Sequence, residues 1–283
     1  MRICCVVVLD REGLTYHDGR LVLWIPRHPL LGTPSVLFFG MRVPLIHETW
    51  HDLFVCMSCV CLVLYLGRLF ESIGLNHQSA LLELDPETGE TRTTIPMDKE
   101  IFGEGLTYCQ GKLIQLSYKA KKGFVYNATQ LDQPPITFTY DTTTHEGWGF
   151  TYNEQRHELI VSDGSEYLHI WDPQTYTQLR KHRIMRLDGT PALRMNELEW
   201  WRDRVVANVW FEDVLLIINP ESGLVEKEYD FSTLYDQAGV VKSQRSDVFN
   251  GISVSSDPDI LYVTGKFWSN MFKIKLLPPV PEK

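Results

Sequence analysis

A short pattern recurs five times along this chain, and that number constrains the fold more than any other feature. It is clearest at Phe102-Gly103-Glu104-Gly105-Leu106-Thr107-Tyr108. Glu12-Gly13-Leu14-Thr15-Tyr16 and Trp148-Gly149-Phe150-Thr151-Tyr152 repeat it closely. Asn196-Glu197-Leu198-Glu199-Trp200 and Asn250-Gly251-Ile252-Ser253-Val254 repeat it more loosely. Glu104 and Trp148 are 44 residues apart, and the next two steps are 48 and 54. Each copy from Glu104 onward leads into a polar turn, an apolar strand and then a second apolar strand. Two of these last strands, and the earlier strand Ala80–Leu84, run into Asp172-Pro173-Gln174-Thr175, Asn219-Pro220-Glu221-Ser222-Gly223 and Asp85-Pro86-Glu87-Thr88-Gly89 respectively. There Pro sets φ for the turn and the Asp or Asn side chain caps it. A fourth, more polar strand follows. Four short strands per repeat, with no helical period, predict a propeller blade. Five copies predict an all-β, five-bladed β-propeller.

The first step breaks the rhythm. Glu12 and Glu104 are 92 residues apart, about two repeats. Within that gap Gly19-Arg20-Leu21 recurs 48 residues later as Gly67-Arg68-Leu69. Removing one such offset restores the spacing, so residues 21–68 read as an insertion into the first blade, foreign to the fold. Pro26, Pro29, Pro34 and Pro44 interrupt any period there. A retained intron or gene-model artefact leaves such a signature; the alternative is a genuine long insertion between two strands. On this reading residues 1–20 start the propeller, with a closing strand at 3–9 and the first strand of blade I. Residues 69–277 form the remainder and 278–283 a C-terminal tail.

Composition excludes some functions. The net charge of −9 argues against nucleic acid, whose phosphates need a basic face. The uncharged run 53–66 is short of the roughly 20 residues that span a bilayer, so no membrane span is favoured. Residues 3–9 make no clear signal peptide, since no small-residue cleavage site follows. Five of the six Cys precede residue 62, which leaves no disulfide framework for the repeats. Cys56-x-x-Cys59 has the spacing of a metal or redox pair but lacks a second pair, so no metal site is assigned.

Propeller geometry brings equivalent residues of each blade to one ring. The position held by Glu12, Glu104, Trp148, Asn196 and Asn250 precedes the innermost strand, so these side chains converge at one mouth of the channel. Their chemistry diverges where a structural position would repeat, as in a site built on a symmetric scaffold. Tyr118, Trp210 and Lys266 form a second set, each five residues past an equivalent strand position. Together they describe a pocket with aromatic walls, a carboxylate, an ammonium and carboxamides. That mixture suits a small polar ligand with an apolar stem and a charged end. Tryptophan in such a fold also packs between blades, and a channel carboxylate can hold a structural cation; both readings stay open at this point.

Seven ordered motifs carry a family resemblance. They are Phe102-Gly103-Glu104-Gly105-Leu106, Glu146-Gly147-Trp148-Gly149, residues 159–164, Asn196-Glu197-Leu198-Glu199, Ala207-Asn208-Val209-Trp210, Asn250-Gly251-Ile252 and Val263-Thr264-Gly265-Lys266-Phe267-Trp268. Across 68–276 the chain resembles glutaminyl-peptide cyclotransferases of the plant and bacterial type, a five-bladed propeller family. The resemblance implies conversion of N-terminal glutamine to pyroglutamate with release of ammonia. It implies Glu104 as proton shuttle and Lys266 at the oxyanion. It also implies substrate contacts from Glu12, Phe102, Tyr118, Trp148, Asn196 and Trp210. Tyr118 stands where the family often has Trp. The family's Phe-Thr-Gln-Gly-Leu is here Asp10-Arg11-Glu12-Gly13-Leu14. The implied partner is a peptide or protein with N-terminal Gln, acted on by a monomer with no required cofactor, in a secretory or extracellular setting. The alternative is a catalytically inactive propeller that binds peptide N-termini or small ligands.

Overall fold

Three of the third strands end in the same capped turn. Asp85 Oδ1 accepts from the amides of Glu87 and Thr88, Asp172 Oδ1 from Gln174 and Thr175, and Asn219 Oδ1 from Glu221 and Ser222. The fifth residue of each turn has positive φ: Gly89 at 72°, Tyr176 at 57° and Gly223 at 70°. Glycine adopts that region freely, whereas Tyr176 does so under strain. This shared chemistry folds each repeat back into an antiparallel meander.

The computed structural model describes residues 59–232, 234, 248–268 and 270–276, together with the backbone strands Arg2–Val8, Leu14–His17, Arg20–Trp24 and Val36–Phe38. Five four-stranded sheets form the blades. Their innermost strands are Cys59–Tyr65 (blade I), Gly103–Cys109 (II), Phe150–Asn153 (III), Met195–Trp201 (IV) and Phe249–Val254 (V). Each innermost strand lies against the next, and that of blade V returns to that of blade I. The chain is therefore a five-bladed β-propeller. Outermost strands such as Thr91–Pro96 and Gln178–Arg183 are largely exposed and polar, which suits an unpaired edge.

The hydrophobic core divides into five clusters, one at each junction between blades. Cys61, Phe70 and Leu81 meet Leu106, Leu113 and Phe124 between I and II. Ile114 and Leu116 meet Phe150, Leu159 and Trp171 between II and III. Similar clusters join III to IV, IV to V and V to I. A sheet covered on both faces has no polar face, and its inner strands read as continuous apolar runs.

That rule explains where blade I departs from expectation. Its innermost strand was expected at Leu14; the structure uses Cys59–Tyr65, from the end of the segment read as inserted. Leu62 and Val63 are buried because both faces of this strand are covered. An apolar strand of this kind, inside the segment read as inserted, is what an innermost strand requires. Leu14–His17 instead joins Arg20–Trp24 and Val36–Phe38 in a separate three-stranded sheet. Arg2–Val8 lies outermost in blade V and pairs with Asn270–Leu276 in parallel, where a meander would have run antiparallel.

Three of the five junctions share one device at a repeated position. Thr151 Oγ1 accepts from Trp200 N at 2.8 Å, Glu199 Oε1 from Val254 N at 2.7 Å and Ser253 Oγ from Leu64 N at 2.9 Å. Each acceptor stands three residues past the divergent ring position of its blade and clasps the next blade. Packing at the channel is close: a Cβ on Gly149 would lie 1.7 Å from the Asn196 carbonyl oxygen. Gly149→Ala should therefore lower stability by about 2 kcal/mol or more. A thermal melt should show a Tm lower by roughly 4 °C or more; an unchanged Tm would mean that the blades can separate here without cost.

Candidate active site

Four inner strands enter the ring through the same irregularity. In blade II, Glu104 and Gly105 stand opposite Leu116 alone; in blade IV, Asn196 and Glu197 oppose Asn208; in blade V, Asn250 and Gly251 oppose Thr264. Blade III does the same without a regular ladder: Trp148 N donates to Ser162 O, and Ser162 N to Gly149 O. A bulge of two residues against one turns a side chain away from the sheet. At this position it presents Glu104, Trp148, Asn196 and Asn250 at one mouth of the channel.

Each bulge frees a backbone N–H, and a neighbouring residue takes it up. Gly105 N donates to Trp148 O at 2.6 Å and Gly149 N to Ser162 Oγ at 2.8 Å. Glu197 N donates to Asn250 Oδ1 at 3.3 Å and Gly251 N to Asn208 Oδ1 at 3.0 Å. Because both carboxamide oxygens accept from backbone amides, the orientation of the two Asn side chains is fixed. Their NH2 groups, with Asn196 Oδ1, are buried and have no hydrogen-bond partner among the described residues. Such atoms carry a cost of about 1–3 kcal/mol each unless a bound molecule answers them.

Around this mouth runs a wall of rings. Phe102 and Tyr118 lie 5.9 Å apart, Tyr118 and Trp148 6.5 Å, and Trp148 and Trp210 5.4 Å at 86°. Phe211 continues it, 4.3 Å from Trp210. Lys266 Nζ stands 5.9 Å from the centroid of Phe102. The Trp148 indole N–H donates to Glu146 Oε2 at 2.9 Å, and Lys119 pairs with the other carboxylate oxygen at 3.4 Å. All five wall and lysine residues expected from the sequence are thus half-buried and gathered together, with Glu104 and Asn196 buried at the neighbouring bulges. Glu104 is within electrostatic range of Tyr140 and Glu197. Glu12, with Asp10 and Cys56, lies outside the described residues. By register with Glu104, blade I places Val60 at the ring position.

Sequence reasoning placed Asn250 on the ring without giving it a contact, and gave no role to three other residues that matter here. Asn208 and Asn250 supply the fixed NH2 groups, Glu146 orients the indole, and Glu197 stands where three other blades have Gly. That last break in the glycine pattern was visible in the repeats. Asp163 is also a buried anchor. Burial raises its pKa, but hydrogen bonds from His169, Ser165 and Thr144 outweigh this and hold it well below the usual carboxylate range. His169 Nε2 stands 3.0 Å from its Oδ2. At the opposite mouth Glu199 borders a cavity of ≈ 290 Å³ with Tyr65, Tyr108, Tyr152 and Trp200. It keeps a partly exposed edge there, yet its carboxyl is surrounded by protein, and desolvation pushes its pKa up to about 8. Among the described residues no group of three or more His, Cys, Asp or Glu could hold a metal ion.

Four bulged inner strands of a five-bladed propeller thus gather an aromatic wall, a lysine and buried polar groups at one mouth of the channel. The family described as glutamine cyclotransferase matches residues 45–276, and the chain belongs to that family. A curated glutaminyl-peptide cyclotransferase of Arabidopsis thaliana is 36% identical over 218 residues, covering 76% of this chain and 66% of the relative. The crystal structure of Myxococcus xanthus glutaminyl cyclase matches with a TM-score of 0.69 and 28% identity, over 77% of this chain and 90% of that one. No helix among the described residues is long and apolar enough to cross a membrane.

Asp163 offers a test of the scaffold under the wall. A carboxyl depressed in the folded state stabilises it above the unfolded pKa of about 4 and loses that effect as pH falls through the folded value. Asp163→Asn should melt below wild type at pH 7, with the gap narrowing below about pH 4. A gap independent of pH would show that the carboxylate charge is not what anchors Trp148's neighbour strand.

Proposed function

We propose that this chain cyclises an N-terminal glutamine to pyroglutamate, with Glu104 as the proton shuttle. The observation that carries the reading is a buried carboxyl, Glu104, on a bulged strand at the mouth where an aromatic wall gathers, with the Lys266 ammonium beside Phe102. The α-amine nitrogen attacks the γ-carboxamide carbon and the C–N bond of the lactam forms. Glu104 takes the proton this nitrogen sheds and delivers it to the departing amide nitrogen, which leaves as ammonia. One carboxyl thus serves both halves of the transfer. Negative charge gathers on the carbonyl oxygen in between, and Lys266 answers it. Phe102, Tyr118, Trp148 and Trp210 hold the two methylenes folded back, which raises the effective concentration of the amine at its target. Asn196 Oδ1 accepts from the substrate's polar hydrogens, and the family resemblance adds Glu12, outside the described residues, as a further substrate contact. The substrate is a peptide or protein with a free N-terminal Gln, the chain acts as a monomer in a secretory or extracellular setting, and the steps need no cofactor.

One observation favours a binding-only propeller: Val60 occupies the ring position of blade I, where the family carries a polar contact. Ammonia release from a Gln-initiated dipeptide separates the two readings. Glu104→Gln should lower kcat by about 10²–10⁴ with little change in KM. Trp148→Ala should act mainly on KM. Tight dipeptide binding without ammonia from wild type would establish the binding propeller instead.

A further inference from the structure

The channel is narrowest at the residue after the divergent ring position. Blades II, III and V have Gly105, Gly149 and Gly251 there, and added Cβ atoms on Gly105 and Gly149 would lie 2.5 and 1.7 Å from neighbouring carbonyl oxygens. Blade I has Cys61 and blade IV has Glu197. Only Glu197 has a long side chain, and it takes the space the glycines leave. It passes blade V and reaches blade I, where Oε1 accepts from Leu62 N at 3.3 Å. It is fully buried, and Oε2 has no hydrogen-bond partner among the described residues. One residue before it stands Asn196 at the pocket mouth; two residues after it stands Glu199 at the opposite cavity.

The groups facing Glu197 are Cys61 and the Leu62 amide of blade I, Glu104 of blade II, Glu199 of its own strand, and Asn250 of blade V. None is a cation. A buried carboxylate with no cation and two acidic neighbours is strongly disfavoured, so the proton stays on.

We propose that Glu197 is a positioning residue for the reaction: a neutral carboxylic acid that closes the floor of the pocket and leaves Glu104 as the single charge above it. The inference deepens the cyclase reading and rests on it. If Glu197 ionised, a second negative charge would sit beneath the developing oxyanion and oppose it, and Glu104 would part with its proton less readily. Burial supports the same picture, since desolvation pushes the Glu197 carboxyl well above its ordinary range.

The experiment compares wild type, Glu197→Gln and Glu197→Ala on a Gln-initiated dipeptide from pH 6 to pH 10. Glu197→Gln keeps the acceptor for Leu62 N and cannot ionise. Its kcat relative to wild type should rise by about tenfold between pH 7 and the alkaline end. Glu197→Ala, which opens the floor, should be slower than Glu197→Gln at every pH. A kcat ratio for Glu197→Gln that does not move with pH, or equal losses in both variants, overturns the proposal. Melting curves keep the two readings apart. Glu197→Gln should match wild type near pH 4 and melt higher at pH 9, because a carboxyl raised in the folded state costs stability as pH climbs from the unfolded pKa to the folded one. Equal Tm at both pH values refutes the neutral floor whether or not ammonia is released. An inert wild type with the Tm difference intact overturns the cyclase reading, and with it the catalytic role given to Glu197.

Discussion

The fold depends on the closure of five innermost strands into a ring, and at three of the five junctions the clasp is the side chain three residues past the divergent position. Thr151, Glu199 and Ser253 there each accept a backbone N–H from the following blade. These bonds do two things at once. They satisfy donors that the twist of neighbouring sheets would leave unpaired in the channel, and they fix the distance between blades at the axis. With that distance set, glycine is the only residue that fits at Gly105 and Gly149. The bulges follow, because the chain must turn aside just above so tight a ring. The site residues are therefore placed by the same constraint that closes the propeller.

The fold was legible because its local rules are repeated. Spacings of 44, 48 and 54 residues, and three Asp/Asn turns, gave the blade count before any tertiary contact was known. The site was legible for a related reason. Positions that converge in space yet differ in chemistry stand out against a repeating background, and Glu104, Trp148, Asn196, Trp210 and Lys266 were found that way. The first blade was misread because two stretches fit the repeat equally well. Glu12 to Tyr16 matches its letters, while Cys59–Tyr65 matches its burial. Two-sided coverage decides for the second, and alternation of apolar and polar residues is no guide to a strand covered on both faces.

What the sequence hid is side-chain traffic between blades. Asn208 binds Gly251 N, Asn250 binds Glu197 N, and Glu197 binds Leu62 N. Each link joins residues 43 or more positions apart. The repeats mark Asn250 as a ring position and Glu197 as a break in the glycine pattern, but they do not show what either binds, and Asn208 looks like an ordinary polar residue near a strand end. Only the ring shows that together they run across blades IV, V and I. The family resemblance pointed to the motifs that contain them and said nothing of this arrangement.

The acidic groups of the channel then form a sequence with different tasks. Glu104 sits among rings at one mouth, Glu197 fills the waist, and Glu199 clasps two blades at the other mouth with a pKa near 8. A column of carboxyls in low dielectric cannot all ionise, since each charge raises the proton affinity of the next. The positions least able to find solvent or cations give up their charge first. Glu197 has neither, and Glu199 has only backbone amides and a partial edge of surface. On the proposed mechanism the carboxyl that carries charge is Glu104, at the mouth where Phe102 and Lys266 also stand. On this argument, the selection of one carboxyl for proton transfer is a property of the channel as a whole. It does not require any special contact to Glu104 itself.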